Sequence, residues 1–76
     1  MEQAYILVAA KSGKIEEVIY KLSKIKNIRN IERVQGEYDL VAEIVSKDNN
    51  SLENIMQKNI KRLKEVGITS TLILKK

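Results

Sequence analysis

Residues 34–45 read VQGEYDLVAEIV. A polar knot, Gly36-Glu37-Tyr38-Asp39, separates a short apolar approach from a longer apolar run. Along that run Tyr38, Leu40, Ala42 and Ile44 face one way, and Asp39, Val41, Glu43 and Val45 face the other. This is the period of two that marks a strand, here 38–46. Gly36-Glu37 reads as a hairpin turn entered from a weaker strand, IRNIERVQ (28–35). There the apolar Ile28, Ile31 and Val34 are spaced by three, so a bulge or an irregular edge is expected. Two carboxylates in four residues are unusual in a basic chain, and they either build the turn or meet something beyond it.

Working outward, residues 4–10 (AYILVAA) form a continuous apolar run of strand length. Ile15, Val18, Ile19, Leu22 and Ile25 then recur at helical spacing, predicting a helix over 13–26. Ser12 is its expected N-cap. Glu16 and Glu17 near its start and Lys21, Lys24 and Lys26 near its end suit the helix dipole. Lys47-Asp48-Asn49-Asn50 is a loop. A second helix is expected over 51–65, with Leu52, Ile55, Met56, Ile60 and Leu63 on one stripe. Asn50 and Glu53 are spaced as a capping box, and Gly67 stands where a helix C′ residue would. Residues 68–75 (ITSTLILK) are the last strand. The halves echo each other: Tyr5-Ile-Leu-Val-Ala parallels Tyr38-Asp-Leu-Val-Ala, and Ile15-Glu-Glu-Val-Ile parallels Leu52-Glu-Asn-Ile-Met. Two such units give an α+β, ferredoxin-like βαββαβ fold, a four-stranded antiparallel sheet with both helices on one face.

Helices on one face leave the other open. The first strand and Leu72-Ile73-Leu74 carry apolar residues on both sides, so the open face needs a cover, and a second copy packed sheet to sheet supplies one. Size argues the same way. Below about 70–80 residues a core seldom supplies more than about 3–5 kcal/mol, and small domains add disulfides, metals or partners. This chain has 76 residues with no Cys and no His. Disulfides and the usual zinc, iron–sulfur and copper ligands are therefore excluded, as are thiol and serine–histidine nucleophiles. No cofactor is expected. The N-terminus shows no signal-peptide pattern, and no apolar run approaches the roughly 18–20 residues of a membrane helix. The expectation is a cytoplasmic protein without a membrane partner.

With the strand order in place, Val34, Gly36, Tyr38 and Asp39, read as V-x-G-x-Y-D before an apolar strand, gain weight. Together with the chain length and a final strand Thr69-Ser70-Thr71-Leu72-Ile73-Leu74, the sequence resembles the RAM domain, from Ala4 to Leu74. That domain is the effector-binding, oligomerising half of the Lrp/AsnC (feast/famine) transcription regulators. The resemblance implies a homodimer of packed sheets, and dimers joined into an octamer or a similar ring. It also implies a free amino acid held between subunits by Gly36, Glu37, Tyr38 and Asp39 together with Thr69, Ser70 and Thr71. Family regulators carry a helix-turn-helix half as well. Residues 1–76 read as a single RAM-like domain without it, similar to the stand-alone form, which would work without touching DNA and could join full-length regulators.

The residue chemistry is compatible with that implication. A zwitterion needs donors for its carboxylate and acceptors for its ammonium. Gly36 allows close backbone approach, and turn N–H groups can hold a carboxylate. Asp39 or Glu37 can accept from an ammonium, and the Thr69 and Thr71 hydroxyls can do either. A plainer reading stands beside it: Asp39 accepting from neighbouring backbone N–H groups, Glu37 a solvated turn residue, Tyr38 a packed aromatic.

Other functions fit less well. The net charge is +4, and ferredoxin-like sheets bind RNA, but they do so with aromatics on the central strands. Here Tyr5, Tyr20 and Tyr38 are the only aromatics, and the lysines are dispersed. A hydrolase of the acylphosphatase kind needs an Arg in a phosphate-cradling loop, which Lys11-Ser12-Gly13-Lys14 lacks. The ACT domain, another amino-acid sensor of the same topology, is the nearest alternative.

Overall fold

The computed structural model describes residues 2–74, with Leu74 described by its backbone alone. The elements are β1 (Glu2–Ala10), α1 (Ile15–Ser23), β2 (Ile28–Arg33), β3 (Leu40–Ser46), α2 (Asn49–Asn54) and β4 (Val66–Leu74). A π-helical stretch, Ile55–Ile60, continues α2. The strands form one antiparallel sheet in the order β2-β3-β1-β4. This is the expected βαββαβ arrangement.

Alternation along the strands builds the core. Ala4, Ile6 and Val8 of β1 and Leu40, Ala42 and Ile44 of β3 are completely buried against Val18 and Leu22 of α1 and Leu52, Met56 and Ile60 of the second helical segment. Each large aliphatic side chain so buried contributes about 1.5–3 kcal/mol. The opposite face holds Tyr5, Leu7, Val41 and Val45, all partly accessible, and Leu72, which is 58% exposed. Leu74, expected to add to this face, has its side chain outside the described residues. Glu43 lies in the middle of the face, in register with Tyr5 on one side and Arg29 on the other. Its carboxylate accepts from Asn30 Nδ2 at 2.8 Å and from Gln3 Nε2.

Several local expectations shift. Strand β2 ends at Arg33 and slips register between Arg29 and Glu32, where Asn30 takes φ 52°. The spacing of three had pointed to this bulge, and Asn is among the residues that accept such a φ. Helix α1 starts at Ile15 rather than 13, with Lys14, not Ser12, in the N-cap position and no side-chain cap. Gly13, at φ +74°, closes a turn in which Lys14 N donates to Lys11 O, and the helix begins only beyond it.

Asn50 does not cap α2. Asp48 does, its Oδ1 accepting from Ser51 N at 2.8 Å. That hydrogen bond holds the Asp48 carboxyl below its ordinary range. Leu52, Met56 and Ile60 are spaced by four, which outruns a 3.6-residue turn. The wider π turn, in which Lys61 N donates to Met56 O at 2.9 Å, keeps all three on the sheet side. Gly67 lies inside β4 rather than after a helix, at a register slip between Val8 and Ala10. A Cβ there would stand 3.0 Å from Ala9 O, so glycine is needed for backbone approach rather than for a left-handed cap.

Candidate ligand-binding site

The knot between β2 and β3 is a closed loop. Val34 N donates to Asp39 O at 2.9 Å across its base, and Asp39 N donates to Val8 O at 2.9 Å, tying the loop to β1. Gly36 at the tip has φ +125°, a backbone conformation that L side chains rarely adopt, with open space around it. Glu37 is exposed, while Tyr38 and Asp39 are half-buried.

The Asp39 side chain builds the loop. Its Oδ2 accepts from Ala10 N at 2.8 Å, a backbone donor at the end of β1 where the ladder to β4 slips register. Oδ1 is left to meet another donor. The plainer reading of Asp39 therefore holds for one oxygen of the carboxylate, and Glu37 is the solvated residue that reading expected.

Thr69, Ser70 and Thr71 pair with Val8, Leu7 and Ile6 of β1. Val8 also pairs with Leu40 of β3, so Asp39 and Thr69 flank the same end of β1. Thr69 and Thr71, opposite the buried Val8 and Ile6, share the helix side, where Thr71 Oγ1 donates to Met56 Sδ at 3.3 Å. Ser70 shares the open face with Leu7. One chain thus gathers the loop and Thr69 at one end of the sheet and does not bring all seven residues around a single cavity.

Beyond these residues, Glu65 is 4% exposed. Lys21 Nζ of α1 donates to its Oε2 at 2.8 Å. That bond, more than any other contact, holds the Glu65 carboxyl below its ordinary range despite burial. Reading the sequence alone passed Glu65 over, because it sits among the lysines that end the second helical segment. The only local signal was an acid placed immediately before an apolar strand. Among the described residues no group of three or more acidic or metal-binding side chains could hold a metal ion.

The sequence profile described as the Lrp/AsnC ligand binding domain matches residues 3–76. The chain belongs to this family. Such a domain is the ligand-binding part of transcription regulators rather than a member of an enzyme family, and the match decides against the ACT alternative. Over 53 residues, 70% of this chain, the sequence is 38% identical to the HTH-type transcriptional regulator FL11 of Pyrococcus furiosus, and the match spans 35% of that regulator. The crystal structure of FFRP-DM1 superposes with a TM-score of 0.96 at 31% identity, covering 99% of this chain and 100% of that one. The regulator NMB0573 of Neisseria meningitidis, solved as a complex with L-Met, shares the fold. Its TM-score is 0.90 at 18% identity, covering 99% of this chain and 50% of that one. Among the described residues no helix is long and apolar enough to cross a membrane.

Proposed function

We propose that this Lrp/AsnC-family chain binds a free amino acid between subunits and that binding sets its state of assembly. It would thereby modulate transcription or amino-acid metabolism without itself contacting DNA. The observation that carries this reading is the construction of the loop. Asp39 is fixed through its backbone N–H, its carbonyl and one carboxylate oxygen, so Oδ1 is pre-positioned to accept from an ammonium. Charge-assisted bonds of this kind are shorter and stronger than neutral ones. The backbone at Gly36 is bare enough for a ligand carboxylate to reach its N–H groups. Thr69 supplies a hydroxyl at the same end of β1. Ser70, on the open face, and Thr71, on the same side as Thr69 but farther from the loop end, serve the site only through an adjoining copy or by a change of rotamer.

Assembly begins with the open sheet face. Tyr5, Leu7, Val41, Val45 and Leu72 make an apolar surface that a second copy covers, and dimers join through the loop ends into an octamer or similar ring. Full-length regulators of the family are further candidate partners, and the cytoplasm is where such partners and free amino acids meet. A ligand that touches two dimers favours the ring by its differential affinity for that state.

Titration calorimetry against the twenty amino acids tests the reading. At least one should bind with a dissociation constant between about a micromolar and a millimolar. Asp39→Asn, which keeps an acceptor for Ala10 but loses the charge, should weaken binding by about tenfold or more. Glu37→Ala should change it little. Failure of all twenty to bind refutes the proposal.

A further inference from the structure

The sheet ends in two edge strands, β2 and β4, and their sequences differ in kind. An unpaired edge turns alternate backbone N–H and C=O groups outward, which makes it a template for another strand. On β2 that template is spoiled. The strand is six residues long and carries Arg29, Glu32 and Arg33. Its register slips between Arg29 and Glu32, where Asn30 takes φ 52°. Bulges and charges of this kind keep other strands off an edge.

Strand β4 is not defended in this way. It runs for nine residues, VGITSTLIL, without a charge or a proline, and its Ile, Thr and Val favour extended backbone. From Thr69 to Leu74 its register with β1 is unbroken, and its slip falls beside Gly67. Three of the six exposed large hydrophobic side chains among the described residues sit on this strand: Ile68, Leu72 and Ile73.

The residue order on β4 matches one occupant, a second copy of itself. Around Ser70 the strand reads nearly the same in both directions, with Thr69 and Thr71 first and then Ile68 and Leu72. A contact between identical surfaces about a two-fold axis sets residue i against j and j against i. With the axis through Ser70 and normal to the sheet, an antiparallel ladder puts Ile68 opposite the partner's Leu72. It puts Thr69 opposite the partner's Thr71, two residues that share the helix side, as directly opposed residues must. Apolar meets apolar and hydroxyl meets hydroxyl, pairings that stabilise neighbouring strands. A strand of unrelated sequence lacks this match at every position.

We propose that β4 pairs edge to edge with β4 of a second copy, antiparallel about a two-fold axis through Ser70, joining two four-stranded sheets into one of eight strands. The ladder runs from Ile68 to Leu72 on each strand and ends at the slip beside Gly67. The helices of both copies lie on the same side of the joined sheet. This contact is distinct from the face-to-face packing and from the amino-acid site proposed above, and it requires neither.

Cysteine cross-linking tests the register in a chain that has no cysteine of its own. Thr69→Cys and Thr71→Cys, refolded together and mildly oxidised, should give a disulfide-linked dimer, because opposed strand residues lie close to disulfide range. Each variant oxidised alone should give several-fold less. Both positions lie on the helix side, so stacking of the open faces does not bring them together. Hydrogen exchange on the unmodified protein is the second measure. The outward amides of β4 between Ile68 and Leu72 should exchange at least about tenfold more slowly than the outward amides of β2. Linkage in Thr71→Cys alone as strong as in the mixture moves the axis to Thr71 and overturns the register. No linkage in the mixture, or outward β4 amides that exchange as freely as those of β2, overturns the pairing.

Discussion

Replacing Asp39 by alanine removes the carboxylate that accepts from Ala10 N at 2.8 Å and leaves a partly buried N–H at the end of β1 without its partner. A hydrogen bond to a charged acceptor contributes about 1.5–3 kcal/mol. Both residues are half-buried rather than sealed, which puts the expected loss near the lower limit, about 1.5 kcal/mol. For a domain of this size each kcal/mol moves the melting midpoint by about 4–8 °C, so a fall of about 6–12 °C is expected. Asp39→Asn retains an acceptor oxygen and should lose about half as much. The assay is thermal unfolding at one fixed protein concentration without ligand, because assembly and bound ligand both raise the midpoint. If the alanine variant melts within about 2 °C of wild type, the bond does not secure the end of β1. The reasoning that makes the loop a pre-built site then fails with it. The asparagine variant separates the two roles of the carboxylate. It should melt about 3–6 °C below wild type, clearly above the alanine variant, and bind an amino acid as poorly as that variant, a combination that a purely structural carboxylate would not produce.

Two other outcomes follow from the same geometry. Leu7→Asp places a carboxylate among Tyr5, Val41, Val45 and Leu72, where stacking a second copy would bury it unpaired. Light scattering at micromolar concentration should give at least twice the 8.7 kDa chain mass for wild type and a smaller species or unfolded chain for the variant; a well-folded wild-type monomer would contradict the dimer. The depressed pKa of Glu65, due first to the Lys21 hydrogen bond, means that the folded state holds its proton less tightly than the unfolded chain. Its contribution to stability is therefore complete above the ordinary value of 4.5 and is lost as pH falls through the lower folded value. Urea unfolding followed below about pH 5 should show this acid-limb loss reduced in Lys21→Met; an identical pH profile in the variant would remove Lys21 as the cause.

Repeats and periods in the sequence determined the order of elements. The period of two in 38–46, the helical spacing from Ile15 to Ile25 and the echo between the halves are local properties. Strands and helices obey them wherever the chain later runs. The spacing of three in 28–35 announced the β2 bulge, and Gly36-Glu37 announced the turn between β2 and β3, for the same reason. Tertiary structure decided the destinations of side chains. The carboxylate of Asp39 finds a donor 29 positions away and Glu65 an ammonium 44 positions away, and no local pattern encodes either partner. The parity of β4 was equally hidden. A slip of one residue exchanges the two faces of a strand, and the slip at Gly67 is set by backbone approach to Ala9. Thr71 therefore meets Met56 beneath the helices, Thr69 lies on that same side opposite Val8, and Ser70 lies on the open face. Helix starts moved for a related reason: Gly13 and Asp48 close their turns through contacts whose strength the composition of those turns does not reveal.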